Sequence, residues 1–305
     1  MDYFGWAILK KQNKMSKLSP IINPEEFLNI KNSSEVILID ARAGINAMEN
    51  YQNEHLKGAR FVDLNQDLAT VEDPANGGRH PLPSLEKFSQ VLSKLGISPQ
   101  SHVIIYDDKN GSNAAARFWW MLRAVDHEKI QVLNGGLQAA IKAGYPVSSA
   151  IETSEPTENY PISKWNLAQA DIEEVETARN NEENIVIDVR DKNRFDGLTE
   201  PLDLIAGHIP GAINIPFSEN LDDDGFYKPV EDLAKKYKEI IGDKNPENVI
   251  VHCGSGVTAC HTLLAMDYAG IPIPKLYVGS WSEWSRNDRE LATKETNNSF
   301  GYNKN

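Results

Sequence analysis

Cysteine is scarce in this chain. Cys253 and Cys260 are the only two among 305 residues, and they form no C-x-x-C pair. That leaves no material for a disulfide framework or a zinc knuckle, so a thiol that matters here matters through reactivity. Positive charge is also short, with 31 Lys and Arg against 44 Asp and Glu and a formal net charge of −13. Nucleic acid as the main partner is thereby disfavoured, because phosphate binding draws on basic stripes. Long apolar runs are missing too. None approaches the roughly 18 residues that span a bilayer, and Trp6-Ala7-Ile8-Leu9 is too short for the core of a secretion signal. A cytoplasmic protein without membrane contact is expected, and the polar, Lys-rich residues 1–20 are expected to be an N-terminal extension.

What the chain does have is ordinary globular composition, 40% hydrophobic and 25% charged. Its length suggests two domains at roughly 150 residues each. Self-similarity agrees. Val36-Ile37-Leu38-Ile39-Asp40-Ala41-Arg42 recurs as Ile185-Val186-Ile187-Asp188-Val189-Arg190, and His55-Leu56-Lys57-Gly58-Ala59 as His208-Ile209-Pro210-Gly211-Ala212. Val103 to Asp107 parallels Val249 to Cys253, and Val132 to Gly136 parallels Leu276 to Ser280. A repeat of this kind means one fold unit present twice. The short β-branched runs suit strands of a parallel sheet buried on both faces. Stretches read as amphipathic helices separate them, over 84–95, 114–124, 230–241 and 258–269. Alternating strands and helices imply an α/β fold, each unit a mostly parallel sheet with helices on both faces. The Ser-, Thr-, Glu- and Pro-rich stretch from Ser148 to Tyr160 reads as a linker. The expected division is 21–147, a linker over 148–164, and 165–305.

The sharpest local feature is Cys253-Gly254-Ser255-Gly256-Val257-Thr258, set between a predicted strand and a predicted helix. Ligands bind at the carboxyl ends of strands in such sheets. The two glycines allow the backbone to turn its N–H groups inward as an anion nest, and the helix N-terminus adds its positive end. A thiol at that centre is expected to be thiolate-rich and nucleophilic. Cys260, inside the helix, reads as packing.

These motifs together with Gly279-Ser280-Trp281-Ser282-Glu283-Trp284 resemble the tandem-domain rhodanese family of sulfurtransferases, over about Ile22 to Arg289. The resemblance implies two rhodanese-like domains, of which the second is catalytic and the first silent, because Asp107 stands where the sulfur would be. It implies transfer of a sulfane sulfur from thiosulfate or 3-mercaptopyruvate, through a Cys253 persulfide, to cyanide, a thiol or thioredoxin. It implies neither metal nor organic cofactor, and a monomer is expected. Gly254, Ser255, Gly256, Val257 and Thr258 would cradle the sulfur and its donor, with Arg194, Arg190 and His55 as further substrate-binding candidates. Ser255 could bond a carbonyl or relay a proton. Family enzymes acting on 3-mercaptopyruvate grip its carboxylate with two arginines; Arg194 matches the first, whereas the second falls near Asp203, an acid.

Blander readings stand beside these. Asp188 with Arg190, and Asp40 with Arg42, suit structural ion pairs. His55 and His208 recur in both copies, which favours architecture, although His55 resembles a family position facing the interdomain cleft. His252 suits the core, and Trp281 and Trp284 suit either core or pocket mouth. Trp119-Trp120 reads as packing, Asp222-Asp223-Asp224-Gly225 as a solvated turn, and Gly77 to Pro83 as a surface loop with potential to reach over the cleft. A phosphatase, which needs Cys, five residues and Arg, is opposed by Ala259. A non-catalytic module that docks partners in the interdomain cleft is the remaining alternative.

Overall fold

The computed structural model describes residues 18–295. Positions 1–17 of the expected extension, with the Trp6 to Leu9 run, lie outside the described residues. The first half runs β1 (Ile21–Ile22), α1 (Pro24–Ile30), β2 (Val36–Arg42), α2 (Ala47–Asn53), β3 (His55–Leu56), β4 (Arg60–Asp63), α3 (Leu85–Lys94), β5 (His102–Tyr106), α4 (Ala114–Ala124), β6 (Ile130–Leu133), α5 (Gly136–Lys142) and β7 (Val147–Ser148). The second runs β8 (Gln169–Ala170), α6 (Ile172–Ala178), β9 (Ile185–Asp188), α7 (Lys192–Phe195), β10 (Ile213–Asn214), α8 (Val230–Ile241), β11 (Val249–His252), α9 (Thr258–Tyr268), β12 (Lys275–Tyr277) and α10 (Ser280–Trp284).

The strands form two parallel five-stranded sheets, ordered β1-β6-β5-β2-β4 and β8-β12-β11-β9-β10. Position for position the two orders coincide, so the sequence repeat is a repeat of topology. Val103 to Tyr106 and Val249 to His252 are buried throughout, as strands covered on both faces must be. A short antiparallel pairing of β3 with β7 ties the end of the first unit back onto its body.

Helices α3 and α8 are amphipathic as expected, burying Phe88, Val91 and Leu92 in one case and Leu233, Tyr237 and Ile241 in the other. Helices α4 and α9 are not. Every residue of α4 except Arg123 is buried, as is Ala259 to Asp267 of α9. The two helices pack against each other between the sheets, so neither keeps a solvent face. One apolar core therefore runs from Phe118, Trp119 and Trp120 through to Leu263 and Leu264. Beyond β7 the chain stays on the first unit: Trp165 packs against Phe88 and Trp120, and Tyr160 bonds His127.

Candidate active site

The close packing of α4 on α9 brings the loops at the carboxyl ends of β5 and β11 face to face. A cleft of about 390 Å³ lies between them, with Asp107 on one wall and Cys253 on the other.

Cys253 follows β11 directly, and its main chain is fixed on both sides. Its N–H donates to Ser280 Oγ at 3.2 Å, and its carbonyl accepts the Trp281 N–H at 3.0 Å. Ser280 holds φ +55°, a left-handed conformation uncommon for a residue with a side chain. Its hydroxyl bonds Cys253 and Tyr277 at once. Gly256 at φ +70° is required sterically, since a Cβ there would stand 2.6 Å from the Val278 carbonyl oxygen. The turned loop aims the Ser255 N–H at Cys253 Sγ, 3.5 Å away. Only 2% of Cys253 is exposed, yet it lines the cleft together with Gly254, Ser255, Val257 and Thr258. Cys260 lies behind, with burial pushing its thiol up to about 12, which leaves it protonated and inert.

The first unit shows what such a loop does with an anion of its own. Its loop is longer, 107–113 against 253–257. The Asp107 carboxylate accepts the N–H groups of Lys109 and Gly111 on one oxygen, at 2.9 and 2.7 Å, and those of Asn113 and Ala115 on the other, at 2.9 and 3.2 Å. The inward-turned donors are thus filled by the chain itself.

Two cleft residues were not among the site candidates, although the loop that carries them was read as able to reach over the cleft. Arg79 and His80 belong to the Gly77 to Pro83 loop, which reaches across from the first unit. His80 Nδ1 lies 2.7 Å from Ser255 Oγ. Burial, then the charges of Arg79 and Arg117, push its pKa down to about 3, so its imidazole is neutral. Arg117, fully buried on α4, donates to the carbonyls of Gly256 and His80 at 3.0 Å each and joins the two loops. The signal available was an Arg-His pair, between Gly-Gly and Pro, in the connection from β4 to α3; the matching connection from β10 to α8 carries no such pair but crosses in the opposite direction, with the Tyr227 N–H on Asn134 Oδ1.

Arg194 lies on the cleft wall, engaged by Glu200 at 2.8 Å and by Asp203 at 3.2 Å. Asp203 is not the bare acid that the one-arginine reading implies. It also binds Arg79 at 2.9 Å and Arg286 at 3.1 Å. Gly254 leaves room for this cluster, because a Cβ there would lie 3.0 Å from Arg79 Nη2 and 3.3 Å from Arg194 Nη2.

Three candidate substrate-binding residues lie outside the cleft lining, namely Gly256, which shapes the loop, together with Arg190 and His55. Arg190 is buried against Asp188 at 2.6 Å, the Gly207 carbonyl at 2.7 Å and the face of Trp281. Arg42 and Asp40 form the equivalent pair at 2.7 Å, which favours structure for both. His55 is fully buried, with Nδ1 on the Tyr51 carbonyl and its ring stacked on Tyr51. His208 repeats that arrangement on Phe195. The cleft-facing reading of His55 is therefore corrected to an architectural one. His252, Trp281 and Trp284 are core residues. Asp222 closes a turn by accepting the N–H groups of Asp224 and Phe226. Among the described residues, no three His, Cys, Asp or Glu side chains are grouped to hold a metal, and no helix is long and apolar enough to cross a membrane.

Comparison with known proteins meets this geometry from outside. The rhodanese-like domain family matches the chain twice, over residues 23–143 and 171–287. The chain is 36% identical over 240 residues to a probable 3-mercaptopyruvate sulfurtransferase of Pseudomonas aeruginosa, covering 78% of this chain and 84% of that one. It is equally 36% identical over 242 residues to the thiosulfate sulfurtransferase of Gallus gallus, covering 78% and 81%. Among solved structures, the 3-mercaptopyruvate sulfurtransferase from Leishmania major superposes with a TM-score of 0.75 at 28% identity, over 87% of this chain and 74% of that one. Two matched domains, and relatives of one chemistry that align over most of their length, make this chain a tandem-domain member of the rhodanese family and a sulfurtransferase enzyme.

Proposed function

We propose that Cys253 is the sulfur carrier of this enzyme, and that residues 165–305 form the catalytic domain, residues 21–147 the silent one and 148–164 the linker. The thiolate attacks the terminal sulfur of a small anionic donor. An S–S bond forms on Cys253 as the donor's bond to that sulfur breaks. The electron pair leaves with sulfite from thiosulfate, or with the enolate of pyruvate from 3-mercaptopyruvate, which then takes up a proton. A thiophilic acceptor, whether cyanide, a thiol or thioredoxin, removes the sulfur and restores the thiolate.

The single observation that carries this reading is the Ser255 N–H directed at Cys253 Sγ from a glycine-shaped loop at the strand end. Such donors act on developing negative charge in a site shielded from water. The neighbouring Ser255 and His80 pair supports a role in moving the proton. A thiol that must return to its reduced form each cycle suits a reducing cytoplasm, and the continuous core between the halves lets one chain complete the site as a monomer. Mass spectrometry after incubation with donor is the test: the peptide containing Cys253 should gain one sulfur atom, which an acceptor then removes. A Cys253→Ser variant that still turns over would overturn the assignment.

A further inference from the structure

We propose that Arg79, carried by the silent domain, is a donor-binding residue. With Arg194 and Asp203 it forms a two-domain seat for a singly charged carboxylate, so that the donor class is a 3-mercapto-2-oxo acid rather than dianionic thiosulfate. This deepens the reading of Cys253 as sulfur carrier and rests on it.

The seat is built around the Asp203 carboxylate, which is fully buried and shared by Arg79, Arg194 and Arg286. Arg79 and Arg194 both line the cleft and converge over Gly254, the residue next to the nucleophile. Each keeps free donors, since neither Nη1 has a hydrogen-bond partner among the described residues. Two guanidiniums with free N–H groups on one side, locked by a carboxylate on the other, present a planar fork to a carboxylate.

Charge selects the occupant. Four guanidiniums, those of Arg79, Arg190, Arg194 and Arg286, share one bonded network with three carboxylates, those of Asp188, Glu200 and Asp203. One positive charge is left over. The Cys253 thiolate of the proposed cycle shares that cleft and draws on the same charge, so each negative charge on the donor is harder to offset, and a dianion adds one more than a monoanion in a partly desolvated site.

The position of Arg79 does not depend on its side chain. Its N–H donates to Ser282 Oγ at 3.0 Å, and the Gly77 N–H donates to Glu283 at 2.8 Å, so the loop is docked on α10 of the other domain. Donor binding accordingly requires both domains.

The test is steady-state kinetics of the full chain with 3-mercaptopyruvate and with thiosulfate, cyanide being the common acceptor. The wild type should favour 3-mercaptopyruvate in kcat/KM by about tenfold or more. R79A and R194A should each raise KM for that donor about tenfold with kcat within about threefold, R79K should recover part of the loss, and D203N should move the kcat/KM ratio toward thiosulfate. A thiosulfate preference in the wild type, an unmoved ratio in folded D203N, or an unchanged KM in R79A while Cys253 still gains sulfur would each overturn the seat and leave sulfur carriage standing. Failure of wild-type Cys253 to gain sulfur from either donor would remove the underlying reading and the seat with it.

Discussion

His80 and Ser255 belong to different domains, and their Nδ1 and Oγ atoms lie 2.7 Å apart. Because burial and nearby arginines push His80 down to about 3, the pair is a neutral imidazole on a hydroxyl. It can pass a proton without holding a charge of its own. Ser255→Ala and His80→Gln are each expected to slow single-turnover persulfide formation from 3-mercaptopyruvate by about tenfold to a hundredfold, at or below the usual range for general acid–base groups. Thiosulfate should be nearly unaffected, since sulfite leaves without protonation at carbon. The sign in pH follows from the lowered value: His80 stays neutral until the pH falls to about 3, so the wild-type rate should show no acid limb near pH 6.5. Rapid-quench measurement from pH 5 to 8 checks this, and an acid limb near 6.5 that His80→Gln abolishes would contradict it.

Asp107 and Cys253 occupy matching places at the ends of β5 and β11 and should respond to substitution in opposite ways. Cys253→Ser should remove transfer to every acceptor with little change in stability. Asp107→Ala should leave the chemical step nearly unchanged but strand four N–H donors, those of Gly111 and Ala115 buried and those of Lys109 and Asn113 partly so, at a cost of about 2–4 kcal/mol given 1–3 kcal/mol for each unsatisfied group and partial relief by water. Denaturant unfolding beside single-turnover assays separates the two outcomes.

Much of this was legible in the sequence because it is written locally. Strand β2 and helices α4 and α8 fall on the spans that the apolar runs and amphipathic stretches mark. The cysteine loop is punctuated by glycines, and the structure explains the necessity of one at Gly256. The rest depends on docking between domains, which no local pattern encodes. Arg79 and His80 meet Cys253 only because their loop crosses to α10, and α4 and α9 lose their solvent faces only because each is the other's cover. Even the apparent misfit at Asp203 dissolves once Arg79 arrives from the other domain.

Buried neutral histidines set an acid limit on folding. Burial pushes His80 and His261 down to about 3 and His127 to about 4. Below pH 6.5 the unfolded chain takes up protons at these sites while the folded chain does not. Stability is therefore expected to fall as pH falls from 6.5 toward 4, by about 1.4 kcal/mol per pH unit for each such histidine. Asp40, Asp67 and Asp107 act in the opposite sense, because burial raises their pKa values; between pH 6.5 and 5 the histidine share is therefore read from a variant that lacks one of the rings. Urea midpoints across that window should decline steeply, and His261→Gln, which removes one titrating ring, should make the decline shallower.

Gly78 offers a way to displace Arg79 and His80 without touching either. It holds φ +80°, and a Cβ there would lie 2.3 Å from the Gly279 carbonyl oxygen and 2.7 Å from Ser282 Oγ. Ser282 is tied to the loop of Cys253, since its N–H donates to the Gly254 carbonyl at 2.9 Å. Backbone cannot yield as a flexible side chain does, so Gly78→Ala should lift the loop away from α10. The expected result is a joint loss, with KM for 3-mercaptopyruvate rising as Arg79 withdraws and persulfide formation slowing as His80 leaves Ser255. Gly44→Ala is the control, because it too has positive φ and lines the cleft but has no atom within 4 Å of the added methyl. A Gly78→Ala enzyme with the kinetics of that control would show that the reach of this loop across the domains has no part in sulfur transfer.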